Sequence, residues 1–450
     1  MIKTGLMLAL FVLACNNCFS TDSPSTVSDD VLDATIDFDI PLAIDNTQSI
    51  DEKSTQNWLT EKLRLSFGYQ VGTEFNRSLD LVSNRLDTRL RWENLFSNQY
   101  FFSLDGKVIF RGWHDQQLDA NENVDYDLRL RDFSLQSNFS SLSIKVGFQS
   151  IVWGEMDSVA INDVMTPWDF SEFAFTAPED ARVSQFSILG DLYLDNTTIS
   201  IVATPYPLAN RFPGGEASDL LTQILGTDQY QVNEDFPQIG NDFELGLLVK
   251  HTAGPSDIAV YGAHVISDIP RFDQVQSNNN SVSEYNVSYE TYEMVGLSSN
   301  YGINNWLWKI ESAFKHKLYF PMQTAVYRNT LDLAVGFDYN ANNAYSLTIE
   351  LYNQTILPGD GTLVGYKTHN SQILTRWSKT FLHETLSLIY FFSYQLQYGD
   401  MTHSGAIQYA INDYWQVDLN ATVFEIKNAD SPMRFSDDWD QLSLRLTLVI

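Results

Sequence analysis

Cysteine is almost absent from this chain of 450 residues: Cys15 and Cys18 are its two copies, and both lie within the first twenty positions. The remainder therefore has no disulfide framework, no thiolate metal site and no cysteine nucleophile, unless Cys15 is kept as a lipid anchor. Long apolar runs are missing as well. Past the opening segment nothing approaches the ~18 consecutive apolar residues that a transmembrane helix requires. Entry into a membrane is then open only to strands closed into a barrel, where every backbone group finds a partner. Positive charge is scarce: 27 Lys and Arg stand against 57 Asp and Glu, a formal net charge of −30. That excludes the basic footprint of a nucleic-acid binder, but a barrel can carry acid in its loops and lumen. Proline is sparse in the alternating segments and collects between them, as strand hydrogen bonding demands.

Lys3 followed by an apolar stretch at 6–14 has the form of a signal peptide and is too short to span a bilayer as a helix. Cys18-Phe19-Ser20 puts small residues at the usual −3 and −1 positions, so cleavage leaves Thr21 as the new N-terminus. Val12-Leu13-Ala14-Cys15 loosely resembles a lipoprotein box, but Leu13 fits its small middle position poorly. The chain is thus expected to divide into a signal peptide (1–20), a flexible acidic periplasmic extension (21–56) and one outer-membrane β-barrel (57–450). Aromatic residues make up 13% of the chain; Tyr and Trp among them favour a membrane–water interface.

From residue 57 onward the pattern alternates almost everywhere. Leu63, Leu65, Phe67, Tyr69 and Val71 oppose Arg64, Ser66, Gly68 and Gln70. Leu86, Leu90 and Trp92 oppose Arg85, Asp87, Arg89, Arg91 and Glu93. Phe102, Leu104, Val108 and Phe110 oppose Asp105, Lys107 and Arg111, and Val124, Tyr126, Leu128 and Leu130 oppose Asp125, Asp127, Arg129 and Arg131. Segments 331–339, 345–351, 386–394 and 415–423 repeat the pattern. Charge opposite wholly apolar residues is what lipid outside and water inside require.

The links also alternate in length. Short ones fall at 97–99, 137–141, 195–196, 302–305, 340–343, 383–384 and 412–413, with a slightly longer one near 252–256. Longer ones fall at 72–84, 113–122, 154–183, 206–242, 268–285, 317–325, 354–368 and 428–438, with 399–402 short where a long one is due. A short helix is expected at 219–225. The prediction is an all-β, transmembrane, antiparallel up-and-down barrel of about 18 strands, with 16 as the alternative, both termini being periplasmic. The last strand runs Leu442, Leu444, Leu446, Leu448 and Ile450 to the final position; such strands commonly end on an aromatic residue, and Ile450 departs from that.

On these registers Arg64, Arg85, Arg89, Arg91, Arg111, Arg129 and Arg131 share the lumen face of one wall sector. Inward acids recur elsewhere, at Glu244, Glu311, Asp332 and Glu350. A basic wall facing an acidic region sets a transverse field that orients and selects charged solutes. The alternative is that Arg and Asp on neighbouring strands pair and fill the lumen. A one-residue slip would move the whole set into lipid, which its charge opposes.

The stretch at 143–182 is the most distinctive. It runs Gly147-Phe148-Gln149, Trp153-Gly154, Asp157, Asn162-Asp163, Pro167-Trp168-Asp169, Glu172, Pro178-Glu179-Asp180 and Arg182. By strand count it is the third external loop, the one expected to fold into the lumen and narrow it. Trp153-Gly154 is read as the end of a strand at the membrane interface, Pro167 and Pro178 as shaping the loop, and the acids as facing the arginine wall or solvent. Over residues 125–215, with Asn210-Arg211-Phe212-Pro213 included, this Gly-x-Gln-x-x-x-Trp-Gly…Asn-Asp…Pro-x-Asp pattern resembles an uncharacterised porin-like outer-membrane family known chiefly by a domain-of-unknown-function label. The resemblance implies an outer-membrane barrel with a structured third loop and no particular substrate.

An enzyme of the outer membrane needs a nucleophile–base or acid–His pair at the rim. His114, His251, His264, His316, His369, His383 and His403 are scattered and fall in no such motif, so no catalytic residue, metal site or cofactor is expected, beyond loose Ca²⁺ binding by acidic loops. An energy-coupled transporter would carry a large N-terminal plug, for which too little chain precedes the first strand. The function expected is a porin-like channel in the outer membrane of a Gram-negative bacterium, monomeric or homotrimeric, passing small-molecule solutes among membrane lipid and lipopolysaccharide. The runner-up is a gated conduit serving an inner-membrane export pump, or a plug-less receptor for a metal chelate or hydrophobic ligand.

Overall fold

The computed structural model describes residues 63–450 except 75–79, 117, 119–123, 172–180, 212–229, 235–241, 269, 276–282, 321–325, 342–344, 361–362, 364–365, 429–430, 432, 434–435 and 437–438. The expected signal peptide and extension, the start of the barrel at 57 and the helix at 219–225 lie outside the described residues.

The strands are β1 (Leu63–Glu74), β2 (Leu81–Phe96), β3 (Tyr100–Arg111), β4 (Asp125–Asn138), β5 (Leu142–Gln149), β6 (Gln185–Leu194) and β7 (Thr197–Thr204). There follow β8 (Tyr230–Glu234), β9 (Glu244–Ala253), β10 (Ser256–Ile266), β11 (Arg271–Val275), β12 (Ser283–Ser288), β13 (Thr291–Ile303) and β14 (Trp306–Phe320). The last are β15 (Val326–Ala341), β16 (Tyr345–Ile356), β17 (His369–Phe381), β18 (Leu386–Gln395), β19 (Asp400–Ala410), β20 (Trp415–Glu425) and β21 (Gln441–Val449). Eighteen of them form one antiparallel sheet in which β21 returns to pair with β1. The expected count of 18 holds and 16 is set aside. The seam closes at the final residue, where Ile450 N–H donates to Leu65 O at 2.8 Å and Leu65 N–H to Ile450 O at 3.0 Å. The non-aromatic terminus thus leaves the seam paired.

The other three strands build a small sheet from two long links: β11 and β12 make an antiparallel hairpin and β8 adds to β12 in parallel. Short links gather at one end of the barrel and long ones at the other. Boundaries differ in detail. A bulge between Gly72 and Thr73 lets the first ladder run on to Leu81, which confines the link predicted at 72–84 to 75–80. The odd short turn falls at 396–399, where Gly399 adopts φ +76°.

Alternation produces the two faces. Tyr126, Leu128, Leu247, Val260, Val295, Ile310 and Leu444 point outward and are exposed, while Asp87, Arg111, Glu311 and Glu350 point inward and are buried. Aromatic rings cluster near the short-turn end: Trp306 lies 4.6 Å from Tyr339 and 5.4 Å from Phe337, and Tyr345 lies 6.3 Å from Trp377, centroid to centroid. This is the girdle expected where hydrocarbon meets headgroups. The packed apolar core lies inside the barrel. Ile151, Trp153, Val159, Ile161 and Met165 of the third external loop pack on inward residues of the wall, among them Val202, Tyr261, Met294, Ala334 and Phe391. Loop and wall residues thus form one apolar cluster inside the barrel.

Candidate functional site

The seven arginines expected in the lumen lie on β1 to β4, and their neighbours explain how so much like charge is tolerated. Arg64 stands opposite Arg91, Arg85 opposite Arg111, and Arg89 opposite Lys107, which in turn stands opposite Arg129. Like charges directly across a ladder repel. Carboxylates intervene. Arg85 takes Asp115 of the second external loop at 3.0 Å; Arg89 takes Asp105 at 2.6 Å, with Arg91 at 3.4 Å and Arg131 at 4.0 Å from the same carboxylate. Arg111 reaches Asp125 at 3.3 Å and Asp127 at 3.2 Å, and Arg129 reaches Asp127 at 2.9 Å and Asp169 of the third loop at 3.3 Å. Asp residues thus pair with many of these arginines, as the alternative reading expects. Arg85, Arg111 and Arg129 are buried. Arg89, Arg91 and Arg131 keep 15%, 23% and 13% of their side chains exposed, and Arg64 is exposed.

Arg211 joins this wall from the link after β7, 3.2 Å from Asp127 and 3.6 Å from Asp169. Sequence reasoning did not place it in the lumen, although its motif partner gave a signal. Asn210 Oδ1 accepts Trp168 N–H at 2.6 Å, Arg211 N–H donates to Trp168 O at 2.9 Å, and Phe170 N–H donates to Arg211 O at 2.8 Å. The Asn-Arg pair therefore clamps the Pro-Trp-Asp segment of the third loop.

Each described residue of that loop's motif has a mechanical reason. Gly147 adopts φ +143°, and a Cβ there would lie 2.2 Å from Phe133 O. Gln149 ends β5 and donates to Ser187 O at 3.2 Å. The chain then turns inward, which corrects the reading of Trp153-Gly154 as a strand end at the membrane interface. Trp153 is buried in the lumen against Tyr261, over a notch where a Cβ on Gly246 would lie 2.5 Å from its ring. A large aromatic after an alternating segment reads as an interfacial anchor; here the glycine on β9 gives it room inside. Gly154, at φ +110°, passes so close to Glu311 that a Cβ would lie 2.9 Å from Oε1. Asp157 binds Lys309 across the lumen. Asp163 accepts Trp153 N–H at 3.2 Å and pairs with Arg182, whose guanidinium lies 4.2 Å over the Trp168 ring. Pro167 O accepts Val183 N–H at 2.9 Å. Glu172, Pro178, Glu179 and Asp180 lie outside the described residues.

The inward acids expected to face the arginine wall do other work. Glu311 accepts the backbone N–H groups of Glu155 (2.8 Å), Met156 (3.1 Å) and Asn162 (2.7 Å), and Glu350 accepts those of Asp157 (2.8 Å) and Ser158 (3.0 Å). Lys309 lies 3.4 Å from Glu350 and 3.0 Å from Asp338; Lys315 lies 2.9 Å from Asp332. Glu244 accepts from Gln185 at 3.1 Å and Ile266 N–H at 3.1 Å. These carboxylates are buried, and Glu311 and Glu350 among them are used to seat the loop. A buried carboxylate needs such partners, because leaving water uncompensated costs several kcal/mol. The lumen is left asymmetric. One side holds the packed loop on its seat, and on the other Arg89, Arg91 and Arg131 are partly exposed. Such a site can position and repel charge. Among the described residues no group of three His, Cys, Asp or Glu is placed to hold a metal ion.

A closed barrel of eighteen antiparallel strands, apolar and aromatic outside, charged within and crossed by its third external loop, is an outer-membrane β-barrel of the porin type. Comparison with one solved structure agrees on the fold. OccAB1 of Acinetobacter baumannii overlays with a TM-score of 0.52 at 12% identity, over 88% of this chain and 99% of that one. The outer membrane protein opdK of Pseudomonas aeruginosa gives 0.49 at 8% identity (86% and 98%), and a mutant porin of Rh. blastica 0.37 at 9% (86% and 99%). No protein-family model matches the chain, and no curated protein matches it by sequence.

Proposed function

We propose that the chain is a channel for diffusion of small solutes across the outer membrane of a Gram-negative bacterium, with Arg64, Arg89, Arg91, Arg111, Arg129 and Arg131 as the wall that selects. The observation that carries this reading is the asymmetry of the lumen. The loop and its acids are locked together on one side, while Arg64, Arg89, Arg91 and Arg131 keep solvent contact on the other. An excess of guanidinium over carboxylate along a water-filled passage attracts anions and repels cations. The likeness of residues 125–215 to a porin-like family supports the same reading. So does the fit of a signal peptide at 1–20 with export, and the barrel is a monomer or homotrimer embedded in lipid and lipopolysaccharide.

The test is single-channel conductance of the refolded protein in a planar bilayer, with reversal potential under a salt gradient. The native chain is expected to open steadily with anion preference. Replacing the pair Arg64 and Arg91, or the pair Arg89 and Arg131, by Ser should shift the reversal potential toward cations and leave the barrel folded. Unchanged selectivity would remove the arginines from the role. A folded barrel that passes no current would favour the gated conduit or receptor, since the packed loop core would then be a closed plug.

A further inference from the structure

The outward face of the barrel carries a polar patch that the channel does not use. At the long-link end of β16 and β17, Asn353, Thr355, His369 and Ser371 point outward, alternating with the buried Gln354 and Gln372, and Gln397 of the turn after β18 joins them. Ser371 Oγ donates to Asn353 Oδ1 at 2.9 Å, Asn353 Nδ2 to Thr355 Oγ1 at 2.9 Å and Gln397 Nε2 to Ser371 Oγ at 3.0 Å; Thr355 Oγ1 lies 3.2 Å from His369 Nδ1. Each amide keeps a second N–H for a ligand, and the Ser371 hydroxyl keeps a lone pair. One step toward the membrane the same face is apolar, with Leu351 opposite Ile373 and Ile373 opposite Tyr394. Asn353 and Thr355 stand eight and ten residues along β16 from Tyr345 of the inner aromatic girdle. At ~3.3 Å per residue and a tilt of ~40° that is about 20–25 Å, close to the ~25 Å height of an outer-membrane apolar band. The patch therefore lies where external-leaflet headgroups begin. Its charge sets it apart on this rim. His264 and His403 also face outward, but each stands beside a carboxylate, Glu293 at 3.9 Å and Glu425 at 3.8 Å. Among the described residues His369 has no such partner, and Lys367, exposed two residues before it, makes no ion pair; its Nζ lies 5.9 Å from the Tyr398 ring. The link between β16 and β17 holds a single acid, Asp360, whose backbone oxygen accepts from Arg328.

We propose that this patch binds the phosphorylated sugar headgroup of a lipopolysaccharide in the external leaflet. Lys367 Nζ and His369 Nε2 take a phosphate, and the amides and hydroxyls of Asn353, Ser371 and Gln397 take hydroxyl and amide groups of the sugar. Leu351, Ile373 and Tyr394 lie along the acyl chains below. Basic side chains at headgroup level attract anionic lipid, and hydrogen bonds to phosphate are strengthened by its charge. A phospholipid supplies the phosphate without the ring hydroxyls and amides that the neutral part of the patch matches. A free phosphate makes no use of the apolar row beneath. The site stands whether or not the barrel conducts.

The test uses the refolded full chain in non-ionic detergent. Lysines are acetylated with an amine-reactive ester and read by peptide mass spectrometry, with and without bisphosphorylated lipid A, the lipid portion of lipopolysaccharide. Lipid A is expected to protect Lys367 and to leave Lys317, exposed at the external end of β14, as reactive as before. Lipid A stripped of its phosphates, phosphatidylglycerol and inorganic phosphate should each protect Lys367 far less. Binding of fluorescent lipid A should weaken roughly tenfold in Lys367→Gln and in His369→Ala, each losing one hydrogen bond to a charged group. Asn353→Leu keeps both of those side chains and should weaken it severalfold, which separates sugar recognition from plain charge attraction. Equal protection of Lys367 and Lys317, or equal protection by phosphatidylglycerol, would overturn the proposal in favour of unspecific attraction. Protection by inorganic phosphate as strong as that by lipid A would make the patch a site for soluble anions and overturn it too. Native-strength binding in folded variants would place the lipid elsewhere on the barrel.

Discussion

Replacing Glu311 and Glu350 together by alanine is expected to raise single-channel conductance severalfold and make it noisy, while the barrel stays folded. The two carboxylates accept five backbone N–H groups of the third loop between Glu155 and Asn162, at 2.7–3.1 Å. Hydrogen bonds to a charged acceptor contribute about 1.5–3 kcal/mol each, and a buried donor left without its acceptor carries a further penalty. Alanine at 350 also removes a carboxylate from Lys309, whose side chain is 2% exposed and still bound to Asp338. The loop then loses five of its bonds to the far wall, while Asp157 still meets Lys309, Glu155 still meets Asn300, and Ile151, Trp153 and Met165 still pack near its root. The eighteen-strand ladder makes no use of these carboxylates in its backbone pairing, so heat-modifiable migration in detergent should persist. Glutamine at both positions should have a smaller effect, since an amide retains one acceptor oxygen but turns donors toward N–H groups. Native-like conductance in the double alanine variant would mean that apolar packing alone holds the constriction.

The architecture was legible because lipid and water impose opposite demands on alternate residues. Phe67, Leu86, Val108 and Leu128 oppose charge so consistently that strand number and register follow from the pattern. The third loop was legible as something distinct, because Gly147, Gly154 and Pro167 interrupt that pattern at close spacing. Its seat was not. Glu311 and Glu350 lie about 150 and 190 positions from the residues they hold, and only closure of the barrel brings them together. Their phase marked them as inward and gave no sign that a loop covers them. The usable signal was glycine: Gly246, Gly296 and Gly336 sit inward on otherwise regular strands, where a missing side chain marks the close approach of something else. Trp153 was misread for the converse reason, since a strand-end tryptophan has the same local pattern whether it turns to lipid or into a glycine notch. Arg211 was hidden by its position in a long link with no alternation.

Those inward glycines give the sharpest test of the seat. Alanine at Gly296 would place its Cβ 1.7 Å from Asn162 Oδ1 and 2.7 Å from Cγ. Asn162 is fully buried, and its N–H is one of the three that Glu311 holds. The amide has no room to stay, and overpacking of this kind costs about 1–3 kcal/mol. Displacing Asn162 lifts the same segment that Glu311 and Glu350 hold, so Gly296→Ala is expected to raise conductance in the same direction as the double alanine variant, though less. The reverse substitution makes the argument specific. Asn162→Ala removes the amide and leaves space for the new methyl, so the Asn162→Ala, Gly296→Ala pair should return conductance toward native. Residues in direct contact couple by about 0.5–3 kcal/mol in such a cycle. A Gly296→Ala channel that conducts like the native one, or a pair whose effects simply add, would show that the loop is not seated through this notch.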